Sequence, residues 1–92
     1  MTDNLPLRSK LVAYRNMQNE MVLVHKKTQM MLQLNKMGAY IWEQLDGKKT
    51  FNDIIVMIKN SFEVDENEDI EKDVTDFIKS LEENQMIDYV RV

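Results

Sequence analysis

The chain has no cysteine, one proline, two glycines, one histidine and one tryptophan in 92 residues. The missing cysteine removes disulfides, thiolate metal sites and thiol nucleophiles together. With a single imidazole, His25, no convincing Ser/His/Asp set can be assembled, and a lone histidine at a strand end reads as a surface or turn residue. The glycines are too few for a phosphate-cradling loop. The acidic run Asp65-Glu66-Asn67-Glu68-Asp69 lacks the glycine and the spaced ligands of an EF-hand loop. No apolar stretch approaches the roughly 18 residues of a membrane-spanning helix, and no signal-peptide core is present. The expectations from absence are therefore no cofactor, no metal, no membrane partner, no enzymatic chemistry and a cytoplasmic location.

What is present suits one small folded domain. Hydrophobic content of 43% against 30% charged residues supplies a single modest core and disfavours disorder. A deep, water-excluding active site is not expected at this size. The net charge of −4 hides a division: residues 1–62 carry nine Lys/Arg against five Asp/Glu, whereas 63–84 carry two against ten, giving +4 and −8. The acidic segment should repel nucleic acid and attract a basic partner.

Along the chain, residues 1–9 contain the only proline, Pro6, show no sustained periodicity and read as a flexible or loosely docked arm preceding a single domain over 10–92. Leu11–Arg15 and Met21–His25 are short apolar, β-branched runs separated by a polar Asn16–Asn19 loop, which predicts an antiparallel hairpin. After a turn at Lys26-Lys27, Thr28–Leu34 predicts a third strand with an open outer edge. Met30, Leu32 and Leu34 share one face of it; Gln29, Met31 and Gln33 share the other.

Asn35 is placed to cap a first helix carrying Met37, Ile41 and Leu45 on one face. That helix should stop at Asp46-Gly47, with Lys48 and Lys49 against its negative end. Thr50 and Asp53 form a weaker version of the capping box at the start of a second helix, in which Phe51, Ile54, Ile55, Ile58 and Phe62 keep helical spacing. Ile70, Val74, Phe77, Ile78 and Leu81 repeat the pattern on a third helix over about Asn67 to Asn84, and Met86 to Val92 predicts a short closing strand.

The runs LNKMGAYIWEQLDGKKTFNDII and FEVDENEDIEKDVTDFIKSLEENQMI resemble the PqqD-like family, also called the RiPP recognition element, whose members serve ribosomally made peptides that enzymes later modify. The resemblance rests on Leu34-Asn35, Gly38, Ile41-Trp42, Leu45-Asp46-Gly47, Thr50, Asp73-Val74, Phe77 and Leu81, and extends over roughly residues 10–88. Asn84-Gln85-Met86 departs from it, occupying the place where the family often has a glycine before leucine.

The resemblance implies an α+β, winged-helix-like domain with a three-stranded antiparallel sheet packed on three helices. It further implies that the leader segment of a precursor peptide binds as an added strand and is presented to a separate modifying enzyme or leader peptidase. Carried over residue by residue, the peptide-binding positions are Thr28, Gln29, Met30, Met31, Leu32, Gln33 and Leu34 on the third strand, with Asp69, Asp73, Asp76, Phe77 and Ser80 on the third helix. The product class stays open among lasso peptides, thioether peptides and a quinone cofactor.

Elementary physics supplies a reason for that carry-over, since an unpaired strand edge offers N–H and C=O groups to any extended peptide. Met30 and Met31 add an adaptable apolar surface, and the acidic helix favours basic leader residues. A dissociation constant of about 1 μM or tighter, about −8 to −10 kcal/mol, is expected for ordering one flexible segment. Two other readings compete. A winged-helix DNA-binding regulator would need cations on its recognition helix, where Asn67–Asn84 has only Lys72 and Lys79 among many acids. An adaptor subunit of a biosynthetic enzyme that binds no leader is the other. The domain itself is expected to be a monomer or weak homodimer.

Overall fold

The computed structural model describes residues 4–18, 20–63 and 69–91. The expected connection over Val64 and Asp65, and the expected third-helix start at Asn67, lie outside the described residues. The element order is β1 (Asn4–Arg8), β2 (Val12–Met17), β3 (Glu20–His25), β4 (Met31–Leu34), α1 (Lys36–Glu43), α2 (Phe51–Ser61), α3 (Ile70–Glu83) and β5 (Ile87–Arg91). Strands β2, β3 and β4 form an antiparallel sheet in chain order, and β1 pairs with β5 in a second, two-stranded sheet. The fold is α+β, with the three-stranded sheet and three helices that the sequence predicts.

The N-terminal segment corrects the expectation of a loosely docked arm. Strand β1 pairs antiparallel with β5 from Asn4 opposite Arg91 to Arg8 opposite Ile87, and its other side meets the link between α1 and α2. There the Arg8 amide donates to the Leu45 carbonyl (2.9 Å) and the Gly47 amide to the Pro6 carbonyl (2.9 Å). Residues 6 and 8 thus turn their main-chain groups toward Leu45–Gly47, while 5 and 7 serve the β5 ladder. The missing donor of Pro6 falls where β5 does not need it, which is how a proline sits in a paired strand.

The helices start where the sequence places their caps. The Asn35 side chain accepts from the Gly38 amide (2.8 Å), and Thr50 and Asp53 complete a reciprocal capping box. Asp69 caps α3 by accepting from the Lys72 amide (3.1 Å). Helix α1 ends at Glu43, earlier than the expected Asp46-Gly47, although Gly47 does take the left-handed conformation (φ 76°) in the turn that follows. A side chain at Gly47 would be strained and would also meet Val90 at 3.0 Å.

The core lies between the inner face of the three-stranded sheet and the three helices. Met21, Leu23, Trp42, Leu45, Ile54, Ile58, Val74, Leu81 and Met86 are all fully buried there. Tyr14 stands edge-on to Trp42, with ring centroids 5.7 Å apart. Tyr40 lies at the boundary, edge-on to Phe62 at 5.2 Å. Phe77 is only half-buried, packed against the core rather than within it. No helix among the described residues is long and apolar enough to cross a membrane.

Candidate peptide-binding groove

The third strand of the sheet is shorter than the sequence suggests, because its first residues are taken by a turn. His25 is buried at the end of β3, and its Nδ1 accepts from the amides of Lys27 and Thr28, both at 3.1 Å. The Gln29 amide donates to the His25 carbonyl (2.8 Å), Gln29 itself is left-handed (φ 64°), and the Thr28 hydroxyl accepts from the Met30 amide (3.2 Å). Thr28, Gln29 and Met30 therefore close the β3–β4 turn, and only Met31, Leu32, Gln33 and Leu34 form strand. His25 is a turn residue, as expected, yet an interior one.

Strand β4 is an edge of its sheet, and the ladder fixes which of its groups face outward. The His25 amide donates to the Met30 carbonyl (2.8 Å), whereas the next amide, Lys26, turns the other way to the Leu11 carbonyl (2.7 Å). With Met21 opposite Leu34, Leu23 opposite Leu32 and Val24 opposite Met31, the odd residues of β3 serve β4 and the even ones serve β2. Residues 30, 32 and 34 therefore point their main-chain groups at β3, and Met31 and Gln33 point theirs at the open edge. Side chains alternate in step: Leu34 is buried and Leu32 half-buried on the helix side, while Met31 and Gln33 are exposed.

Beside that edge lies a cleft of about 360 Å³ between β4, α1 and α3. Leu34, Met37, Ile41, Val74 and Phe77 give it apolar walls, and Gln33, Asn35 and Asp73 give it polar ones. Gly38 forms part of the α1 wall, and a Cβ there would stand 3.3 Å from the Leu34 side chain and 3.6 Å from the Phe77 ring. Any side chain at position 38 would thus fill the approach between α1 and α3.

Of the residues implied by resemblance, the cleft brings together Gln33, Leu34, Asp73 and Phe77. Met31 lies on the open edge, and Leu32 faces inward. Asp69 is committed to capping α3, and Asp76 is paired with Lys72 (3.2 Å) on an exposed flank of the helix. Ser80 shares the helix stripe of Asp73 and Phe77 but does not line the cleft, and its carbonyl accepts from the Asn84 side chain (2.9 Å). Asn35, Met37, Gly38, Ile41 and Val74 are cleft residues that the sequence reading left outside the site.

The cleft has the make-up of a binding surface. It has one carboxylate, Asp73, at an apolar wall, and among the described residues no group of His, Asp or Glu is arranged to hold a metal ion. The one histidine is buried and engaged at Nδ1 with two main-chain amides.

Solved structures of similar shape are peptide complexes. TbiB1 in complex with the TbiA(beta) leader peptide is 27% identical, with a TM-score of 0.77 over 89% of this chain and 94% of that one. Lasso peptide synthetase B1 complexed with the leader peptide shares the fold at 24% identity, with a TM-score of 0.76 over 90% of this chain and 96% of that one. No curated protein sequence shows significant similarity. Residues 20–87, from β3 through the first residue of β5, match the family model of coenzyme PQQ synthesis protein D. The chain belongs to the PqqD family.

Proposed function

We propose that this protein binds the leader segment of a ribosomally made precursor peptide as an additional strand on β4 and presents it to an enzyme that modifies the peptide or removes its leader. One observation carries the proposal: the open main-chain groups of Met31 and Gln33 run beside an apolar cleft whose far wall is α3. The edge supplies hydrogen bonds to any extended chain, and the cleft supplies the selection that an edge alone lacks. Leader side chains directed toward the helices enter between Leu34 and Phe77. A basic one meets Asp73, whose carboxylate lines the cleft. The solved complex of the similar TbiB1 with a leader peptide supports this reading.

The domain contributes recognition and no bond-making step of its own. His25 has Nδ1 occupied by main-chain donors within the β3–β4 turn, so it cannot use that nitrogen as a base without opening the turn. Helix α3, in the place a DNA-reading helix would take, carries Glu71, Asp73, Asp76, Glu82 and Glu83, and its Lys72 is already paired with Asp76. Duplex binding is thereby disfavoured.

The test is titration of this protein with the leader of a precursor peptide encoded beside it, followed by amide exchange of the complex. Saturable binding near 1 μM or tighter is expected, with slowed exchange at Met31 and Gln33. Protection confined to α1 and α2, or the absence of binding, would overturn the reading.

A further inference from the structure

The outer face of the three-stranded sheet breaks the usual alternation. An antiparallel sheet with its other face on the core ordinarily turns polar residues to water. Here the outward positions include Ala13 and Met17 on β2, Val22 and Val24 on β3, and Met31 on β4, with Val24 directly opposite both Ala13 and Met31. Met17 is 53% and Met31 63% exposed, and a shallow depression of about 220 Å³ lies over Val22 and Val24. No helix among the described residues covers this face, since the buried residues of β3 all project to the opposite side.

Charge indicates what would cover it. Arg15 lies on the face opposite Val22, and Lys26 and Lys27 stand in the turn at its end. The one carboxylate on the face, Glu20, accepts from the Gln33 side chain (2.6 Å) and stands at the start of β3, away from Lys26 and Lys27. The patch is therefore apolar with a border that is cationic on balance, three positive charges to one negative, on a chain whose net charge is −4. A second copy placed face to face would bring like charges together. A leader strand added at β4 would extend the same sheet and set its alternate side chains beside Met31 and Gln33 on this outer face.

We infer that the outer face of β2, β3 and β4 is the docking surface for the enzyme that acts on the bound peptide, through an apolar patch on that enzyme bordered by Asp and Glu. This deepens the leader-binding reading and rests on it: the enzyme touches the carrier and one side of the leader at once. The leader is held from the helix side and read from the sheet side.

The experiment uses the full chain and the purified modifying enzyme or leader peptidase encoded beside it, titrated with and without leader. Two variants, Arg15→Glu and the double variant Val22→Thr/Val24→Thr, lie off the β4 edge and keep strand-forming side chains on β3. Each is expected to weaken enzyme binding about tenfold or more while leader affinity stays within about twofold. Rising salt should weaken the enzyme complex of the native protein more than that of Arg15→Glu, which keeps only Lys26 and Lys27 at the border. Unchanged enzyme affinity in both variants would overturn the inference, as would a native dimer that the variants dissociate. Failure of the leader to bind is read separately in the leader titration, while the enzyme titration without leader still decides whether this face docks it.

Discussion

Arg8 donates from one guanidinium nitrogen to the carbonyl oxygen of Trp42 (3.0 Å) and also to that of Glu43 (2.8 Å). Helix α1 has no basic residue in its own last turn, so the cation that meets its negative end comes from β1. Lys49, expected there from the sequence, is engaged with Asp46 instead, at 2.6 Å. One side chain thus ties the N-terminal strand to the helix that carries the central tryptophan.

Arg8→Met keeps the aliphatic stem and removes the donors, leaving the Glu43 carbonyl to water and the Trp42 carbonyl to the Leu45 amide (3.2 Å). A loss of about 1 to 2 kcal/mol in urea unfolding is expected, with faster amide exchange along β1. Unchanged stability would show that the contact adds nothing net.

The parts legible in the sequence are those whose signal is local. Ile54, Ile55 and Ile58, then Ile70, Val74, Ile78 and Leu81, mark their helices by spacing, and Asn35, Thr50 and Asp53 mark starts by capping chemistry. Strand β1 was not legible because its partner β5 lies at the other end of the chain and Pro6 argues locally against a strand. The length of β4 depended on the His25 ring accepting from Lys27 and Thr28, a side-chain contact that no periodicity reports. In the cleft, Phe77 and Asp73 could be assigned through the resemblance, whereas the spacing of Met37 and Ile41 shows only an apolar helix face, and a groove wall and a core face have the same spacing. Gly38 was the available signal, a small residue where α1 passes close to α3.

Trp42 and Phe77 should separate stability from binding. Trp42 is fully buried, so Trp42→Ala removes a large side chain and leaves a cavity, at an expected cost of about 3 to 5 kcal/mol. Phe77 is half-buried at the cleft wall, so Phe77→Ala should cost roughly 1 to 2 kcal/mol of stability. It should also lower leader affinity, because the apolar wall is lost. Denaturant unfolding and leader titration on both variants check this, and an unaltered leader affinity in Phe77→Ala would remove that residue from the site.

The Asp46 carboxyl is held below its ordinary value of 3.8, chiefly by the hydrogen bond from Lys49, with the Lys48 amide adding to it and burial opposing. Because the folded value is the lower one, the stabilisation is present at neutral pH and is lost as pH falls below 3.8 and through the folded value. Asp46→Asn keeps an acceptor for the Lys48 amide and loses the charge. It should cost less than about 1 kcal/mol at pH 7, the pair being partly exposed, and that difference should vanish in strong acid. A difference that persisted unchanged in acid would assign the effect to turn geometry rather than charge.

Asp73 and the cleft wall should respond differently to salt. Asp73→Asn is expected to weaken a leader that presents Lys or Arg at the cleft, and that deficit should shrink as added salt screens the native attraction. The deficit of Phe77→Ala should persist, since burial of apolar surface is not screened. Leader titrations at two salt concentrations separate the two, and equal salt sensitivity would place Asp73 outside the contact.

The ladder geometry makes a prediction about single main-chain groups on β4. Gln33 turns its N–H to the open edge, whereas Leu32 turns its own toward β3. Gln33→Pro removes an outward donor and the side-chain bond to Glu20; Gln33→Ala removes only the side-chain bond, so their difference isolates the main-chain donor. Gln33→Ala supplies the baseline for loss of the side chain from the cleft wall. Relative to it, Gln33→Pro should lose about 1 kcal/mol or more, roughly fivefold, for one unmade peptide hydrogen bond. Leu32→Pro should act on the fold instead, because the donor it removes belongs to the β3 ladder, and its cost should appear in unfolding without any peptide present. Equal leader affinities for Gln33→Pro and Gln33→Ala, with both variants folded, would mean that the leader does not pair with this edge.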